Sequence, residues 1–255
     1  MRITDIAKRT AASAKRGSLL VTAALLVASL VAPVAPTLVA AATPPTTTFL
    51  LAGGFGSPEA TGQEFGGQFC KAPYHCQNVY YFNVSGSANN EQGARNLDAA
   101  IRKVSGPKLV FGQSEGALVA EAWLRDHNHD ATAPSPSELR FLLTGNTERK
   151  YTGYNTVNPW LGQLGFVCTS SGCGTPADTP YQVTDFCSQW DGWCDWTSDF
   201  RSAMGQTWIH INYANVKFND PANKIWHEGN ITYVNNPTPS WAWMGPDTVN
   251  RAHPF

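Results

Sequence analysis

The sequence predicts an α/β domain in which helices flank both faces of a mainly parallel central sheet. Short apolar runs typical of buried strands alternate with segments of helical pattern in the first half of the chain. Apolar residues make up 42% of the 255 residues and charged residues only 15%, so the chain can bury a sizeable core. There is no internal repeat and no linker between two cores, which predicts one domain over residues 43–255.

Five apolar stretches are the predicted strands, and turn residues follow them. They are Phe49–Gly56, which includes a glycine turn, Val79–Val84, Lys108–Phe111, Glu138–Thr144 and Tyr181–Cys187. Two segments between them carry apolar residues at helical spacing, Glu91–Val104 and Ala117–Trp123. Residues 147–180 are rich in turn-forming residues and predict irregular structure, and the stretch from Asn219 onward gives no ordered prediction.

The first 42 residues have the pattern of a secretory signal peptide. A basic start precedes an apolar run and then a stretch of small residues. We expect cleavage after Ala41 or Ala42. A retained membrane anchor is the alternative, but Pro33 and Pro36 would interrupt a membrane-spanning helix. The mature protein is therefore expected to be mildly acidic, and secreted or held in the cell envelope.

The charge and the composition exclude two classes of protein. The formal net charge is −1 at pH 7, whereas a nucleic-acid-binding chain carries a strong basic excess. Nine tryptophan, eight tyrosine and twelve phenylalanine residues are incompatible with a disordered chain. A nucleic-acid partner is therefore not expected.

All six cysteines follow the predicted leader and form three close pairs in the sequence. An even number of cysteines in an exported protein is typical of disulfides. The simplest pairing joins sequence neighbours: Cys70 with Cys76, Cys168 with Cys173, and Cys187 with Cys194. The Cys-x-x-Cys spacing typical of zinc sites is absent from the sequence, and we predict neither a metal nor a cofactor.

The segment Gly112–Gly116 reads Gly-Gln-Ser-Glu-Gly and lies between a predicted strand and a predicted helix. Small residues on both sides permit a tight turn that lifts the Ser114 hydroxyl above the sheet edge. At a helix N-terminus, the helix dipole and free backbone N–H groups stabilise developing negative charge. Ser114 is therefore the candidate nucleophile, and the backbone N–H of Glu115 is a candidate donor to the oxyanion.

A second oxyanion donor is expected in the loop after the first strand. Gly53–Gly56 is that loop. Gly54 and Phe55 are equally favoured, because a small shift of the chain would exchange their positions.

A serine nucleophile needs a base, and in this class of fold the histidine follows the serine in the chain. That order excludes His75. His127 and His129 lie at the far end of the nucleophile helix, and His253 is almost terminal, which leaves His210 and His227. Of the remaining candidates, we favour His210 over His227 because apolar residues flank it, as expected beside a packed active-site rim.

Three aspartates are candidates for the acid that orients the base. Asp185 lies inside the predicted fifth strand, whereas Asp191 lies just past its end, where catalytic groups collect in parallel sheets. Asp191 is also enclosed by Cys187 and Cys194, whose disulfide would hold its loop rigid. Asp195 follows closely and is an alternative, although its position also suits a helix cap.

Taken in order, these motifs resemble the PE-PPE-type serine hydrolase domain of mycobacteria and their relatives. That pattern has Gly-x-Ser-x-Gly-Ala, an apolar strand ending in Gly-Asn, a Tyr-Asp-Gly-x-x-Asp segment, and a histidine with a tyrosine. The matching segments here are Gly112–Ala117, Phe141–Asn146, Trp190–Asp195, and His210 with Tyr213. The disulfide-enclosed aspartate also resembles the cutinase pattern. The resemblance covers about residues 47–218.

This resemblance implies a cutinase-like α/β-hydrolase fold with Ser114, Asp191 and His210 as a catalytic triad. It implies a serine esterase or lipase that acts on small-molecule or lipid esters, and the leader pattern adds the expectation of export with membrane or envelope association. The alternative is an acyltransferase that uses the same triad to move acyl chains between cell-envelope glycolipids. A third interpretation is a non-catalytic envelope-binding protein whose tryptophans line a ligand surface. Position 115 departs from the family, since Glu stands where relatives often have Gln.

Overall fold

The structure is a computed structural model, and it describes residues 46–54, 58–82, 86–158, 160 and 171–237. The predicted leader lies outside the described residues.

In the described part of the chain, seven strands form one sheet, in the order β2-β1-β3-β4-β5-β7-β6. Neighbouring strands are parallel except β6 and β7, which are antiparallel. This arrangement confirms the predicted mainly parallel sheet. The strands are β1 Thr48–Ala52, β2 His75–Val79, β3 Lys108–Gln113, β4 Leu139–Thr144, β5 Gln182–Ser188, β6 Lys224–Glu228 and β7 Ile231–Asn236.

Helices connect the strands on both sides of the sheet. The α-helices are α1 Pro58–Gln63, α2 Ser87–Lys103, α3 Glu115–His127, α4 Tyr154–Val157 and α5 Phe200–Trp208, and there are 3-10 helices at Glu64–Cys70 and Tyr213–Asn215. The two predicted helices are confirmed as α2 and α3, and each is longer than its apolar pattern indicated. The extra residues are mostly polar, so an apolar pattern does not detect them.

The core lies on both faces of the sheet because alternate residues of a strand point in opposite directions. In β3, Val110 packs in a cluster that includes buried side chains of α2 and α3. Phe111 packs in a largely aromatic cluster on the other face of the sheet. Leu50 and Leu51 of β1 divide between the two clusters in the same way. A sheet covered on both faces needs apolar residues at consecutive positions, which is why these strands read as continuous apolar runs.

The second strand lies earlier in the chain than predicted. The expected strand was Val79–Val84, whereas β2 is His75–Val79 and pairs in parallel with β1, His75 opposite Thr48. Tyr80 and Phe82, which suggested a strand, are exposed. Backbone pairing with β1 decides which residues form this strand. β propensity depends too strongly on tertiary context to reveal the position of the strand from sequence.

The stretch after Asn219 contributes a β-hairpin that the sequence did not predict. Strands β6 and β7 meet at a turn where Gly229 has a positive φ of 57°. Strand β7 pairs in parallel with β5 and so extends the main sheet.

Two of the three predicted disulfides, Cys70–Cys76 and Cys187–Cys194, are confirmed, with Cα atoms 5.4 and 5.8 Å apart. Cys173 is also disulfide-bonded, but Cys168 lies outside the described residues, so the third pairing stays a prediction. Within the described ranges, no helix is both long and apolar enough to cross a membrane.

Candidate active site

Ser114 lies in a sharp turn between β3 and α3. Its backbone angles, φ 57° and ψ −119°, are unusual for a residue with a side chain. A Cβ atom at Gly112 would lie 2.5 Å from the carbonyl oxygen of Gly116, and one at Gly116 would overlap the Ala52 carbonyl. The two glycines therefore permit the tight strand-to-helix turn that the sequence motif predicts.

His210 follows α5, and its buried ring faces the serine. The His210 Nε2 atom lies 2.8 Å from Ser114 Oγ, which is hydrogen-bond distance. Helix α5 lies close against the loop after β5, because Gly205 has no side chain and a Cβ there would overlap the Trp190 carbonyl. This close packing sets the position from which His210 reaches Ser114.

Asp191 is fully buried on the other side of the imidazole. Its Oδ1 and Oδ2 atoms lie 3.1 and 3.0 Å from His210 Nδ1. The backbone N–H of Trp193 donates to Oδ1 at 3.1 Å, and the Tyr213 hydroxyl donates to Oδ2 at 2.7 Å. These donors hold the carboxylate in one orientation toward the ring.

The Tyr213 hydroxyl joins two parts of this site. It accepts a hydrogen bond from the backbone N–H of Ser188 at 3.1 Å and donates to Asp191. Burial, and then the Asp191 charge, raise the pKa of Tyr213 well above its ordinary value. The phenol therefore stays protonated and remains a donor to the carboxylate.

The other two aspartate candidates have different partners. Asp185 forms a buried ion pair with Arg149, with 2.8 Å between Oδ1 and Nη1. Asp195 accepts a hydrogen bond from the Trp190 backbone N–H at 3.2 Å and so braces its own loop. The helix cap considered for Asp195 belongs to Asp199, which accepts from a backbone N–H in the first turn of α5.

The other histidines that were candidates for the base have different partners. His127 stacks on the Trp123 ring with 4.6 Å between ring centroids. His227 is exposed on β6, where its Nδ1 atom lies 3.1 Å from Thr232 Oγ1. Of the two histidines that the sequence left in competition, the structure brings His210 to the serine.

The predicted oxyanion region is described in part. Helix α3 begins at Glu115, and the first N–H groups of a helix have no partner within it. Gly54 packs directly against the serine, since a Cβ atom there would lie 2.5 Å from Ser114 Cβ. Its backbone N–H donates to Gln113 Oε1 at 3.3 Å. The other predicted donor, Phe55, lies outside the described residues.

A cavity of about 770 Å³ opens beside these groups, and Ser114, Glu115 and His210 line it. Its wall combines apolar with polar side chains, including Leu118, Trp193, Ile211, Gln63, Asn155 and Gln206. The mixed wall and the volume fit an organic ligand that has both an apolar and a polar part.

Gly145, at the end of β4, is a site residue that the sequence analysis did not single out. It has a positive φ of 57°, and a Cβ atom there would lie 2.5 Å from His210 Cε1 and 2.8 Å from Nδ1. The Gly-Asn ending of this strand was the available signal, but only the tertiary structure shows that the glycine makes room for the imidazole.

We expect Gly145→Ala to lower the esterase turnover that the sequence motifs predict by about a hundredfold, because the added methyl group displaces His210 from Ser114. Gly229→Ala is the matched control: Gly229 also has φ 57°, but its Cβ would come no closer than 3.5 Å to a neighbour. Both variants carry the same backbone strain, so comparing their ester turnover and melting temperatures isolates the steric effect. Equal turnover in the two variants would contradict the role assigned to Gly145.

Comparison with known proteins relates this chain to a family and to individual relatives. A model of the PE-PPE domain matches residues 69–233. The esterase PE16 of Mycobacterium tuberculosis is 31% identical over 137 residues, which cover 48% of this chain and 25% of PE16. The SL1278 acyltransferase Chp1 of the same organism is 44% identical over 54 residues, 21% of this chain and 13% of Chp1. The chain thus spans a quarter or less of the length of each of these two curated relatives.

Among solved structures, the type II thioesterase YbtT from the yersiniabactin NRPS/PKS biosynthetic pathway aligns with 69% of this chain and 96% of its own. The TM-score is 0.34 and the sequence identity is 14%.

Proposed function

Since this chain belongs to the PE-PPE domain family, we propose that it is a serine esterase that hydrolyses acyl esters of small molecules or lipids. The observation that carries the proposal is the hydrogen-bonded series Ser114–His210–Asp191 beside a cavity of ligand size. The names of two relatives, an esterase and an acyltransferase, agree with acyl chemistry.

In the proposed first step, the Ser114 hydroxyl oxygen attacks the carbonyl carbon of the ester. His210 Nε2, at 2.8 Å, takes the hydroxyl proton. As the tetrahedral intermediate collapses, the imidazolium returns this proton to the leaving alcohol, and the acyl group stays on Ser114. Water then attacks the acyl-enzyme with the same proton transfers and releases the acid.

Asp191 is proposed to hold His210 in the productive tautomer. With its Nδ1–H donated to the carboxylate, the imidazole presents an unprotonated Nε2 to the serine. The negative charge of Asp191 also stabilises the imidazolium that forms during attack. The donors from Trp193 and Tyr213 keep the carboxylate pointed at the ring.

The oxyanion is proposed to bind at the N-terminus of α3. The Glu115 backbone N–H belongs to the first turn of the helix, where the dipole favours negative charge. The second donor is proposed to come from the neighbouring loop, either from Phe55 or from Gly54, whose N–H would exchange its bond to Gln113 Oε1 for one to the oxyanion.

Acyl transfer is a second candidate function, favoured by the similarity to an acyltransferase and by the polar side chains in the cavity wall. The steps are the same up to the acyl-enzyme, after which an alcohol instead of water accepts the acyl group. Incubation with p-nitrophenyl esters, with and without a glycolipid acceptor, separates the two. Transfer predicts an acylated glycolipid by mass spectrometry, whereas hydrolysis predicts free acid in both reactions.

A serine-reactive phosphonate tests the shared chemistry. We expect one phosphonyl group per chain, located on Ser114 by peptide mapping, and none on the Ser114→Ala protein. A folded protein that neither takes the label nor cleaves any ester of the panel would favour the non-catalytic binding protein and overturn the proposal.

We also propose that the protein acts outside the cytoplasm. The leader pattern of residues 1–42 and the disulfides support this, because disulfides persist in oxidising compartments. The intact mass of the protein recovered from an expressing bacterium is expected to correspond to a chain that begins after Ala41 or Ala42. An uncut chain in the membrane fraction would instead support the retained anchor.

A further inference from the structure

The carboxyl group of Glu115 is an unusual neighbour for a nucleophilic serine. Glu115 follows Ser114 directly and is only 4% exposed. Within the described part of the chain, neither of its carboxyl oxygens has a hydrogen-bond partner. A buried carboxylate without a partner is costly, so the charged form of this group is disfavoured where it lies.

The described part of the cavity wall around Glu115 provides no lysine or arginine to compensate a negative charge. Among the described residues that line the cavity, the titratable groups besides Glu115 are Glu64, Tyr154, His210 and Tyr213. Outside that lining, Tyr81, which follows β2, interacts electrostatically with Glu115. The hydroxyl of Tyr81 donates to the Gly53 carbonyl, so this side of Glu115 adjoins the proposed oxyanion loop.

Burial and the helix dipole act on this carboxyl group in opposite directions. The N-terminus of a helix favours a carboxylate, whereas removal from water favours the neutral acid. Burial is the larger effect here and raises the pKa of Glu115 to about 7. The carboxyl group is therefore mostly neutral in mildly acidic solution and becomes charged as the pH rises through neutrality.

We propose that the Glu115 carboxyl group is a proton-controlled brake on the reaction at Ser114, active when its proton is lost. The proposal rests on the proposed serine esterase function and adds a form of regulation to it. A substrate carbonyl oxygen becomes negative at the backbone N–H of the same residue. A neutral side chain leaves that charge undisturbed, whereas a carboxylate repels it and raises the barrier.

The test compares kcat/KM for a neutral p-nitrophenyl ester at pH 5.5 and pH 8.5 in the wild type and in Glu115→Gln. Glutamine keeps the shape and the backbone N–H but carries no charge. The ratio of the high-pH to the low-pH rate is expected to be about tenfold greater in Glu115→Gln than in the wild type, since repulsion in a partly desolvated site is of that order. Effects of pH that do not involve the Glu115 carboxyl group act on both proteins and cancel in this comparison.

Glu138→Gln is the control, because Glu138 is exposed and does not line the cavity. Its rate ratio should equal that of the wild type. Glu115→Ala is a second uncharged variant, and it should raise the ratio in the same direction even if glutamine is poorly accommodated. Circular dichroism and melting temperature establish that each variant is folded.

The outcomes separate the brake from the function on which it rests. An unchanged ratio in both Glu115 variants, with serine-dependent turnover present in the wild type, would overturn the brake alone. Wild-type protein that shows no turnover and no phosphonate label at Ser114 would overturn the esterase proposal and the brake with it.

Discussion

Ser114→Ala is expected to lower ester turnover by about a thousandfold or more while leaving the fold intact. The substitution removes the oxygen that would form the acyl-enzyme and changes nothing else in the site. Alanine fits the same turn, and the His210–Asp191 contact does not depend on the hydroxyl. Turnover of a p-nitrophenyl ester and melting temperature are the measurements.

The matched control is Ser137→Ala, which removes a hydroxyl group from an exposed serine outside the cavity. It should leave turnover at the wild-type level. Undiminished turnover in a pure Ser114→Ala protein would show that the nucleophile has been named wrongly, whatever the geometry of the turn.

Asp191→Asn is expected to lower turnover by about a thousandfold or more, because His210, the proposed base, loses its orienting acceptor. The carboxylate faces three donors, from His210, Trp193 and Tyr213. An amide has one acceptor oxygen, and its NH₂ group must face at least one of those donors. The imidazole is then held in the wrong tautomer or tilted away from the serine.

Asp195→Asn is the comparison that makes this test specific. Asp195 lies four residues further on and accepts from the Trp190 backbone N–H, and an asparagine oxygen can still accept that bond. We expect a stability loss of about 1 kcal/mol at most and nearly normal turnover. If Asp195→Asn abolishes turnover at an unchanged melting temperature while Asp191→Asn remains active, the acid has been assigned to the wrong residue.

Local patterns predicted the parts of this molecule that local chemistry determines. The Ser114 turn follows from glycine spacing between a strand and a helix, and β3 and β4 follow from apolar runs that a doubly covered sheet requires. Asp191 could be favoured because two nearby cysteines enclose it. In these cases, residues close in sequence carry enough information to specify the structure.

The remaining features depend on contacts between distant segments. Strand β2 is positioned by pairing with β1, which the aromatic residues after Val79 do not reveal. The space that Gly145 leaves for His210 exists only once β4 and α5 are packed. Within the described residues, the lack of a hydrogen-bond partner for the Glu115 carboxyl group is likewise a property of the folded surroundings, although the sequence itself shows that Glu115 departs from the family pattern.

The hydrogen bond between Ser114 and His210 joins residues 96 positions apart, and the His210–Asp191 contact joins residues 19 apart. Closing the longer loop costs chain entropy. This free-energy cost is offset only when the strands between Ser114 and His210 have paired. The site therefore has no local precursor in the unfolded chain. Recovery of the Ser114–His210 contact during refolding would report completion of the sheet, while recovery of the helical circular dichroism signal would report only earlier, local stages of folding.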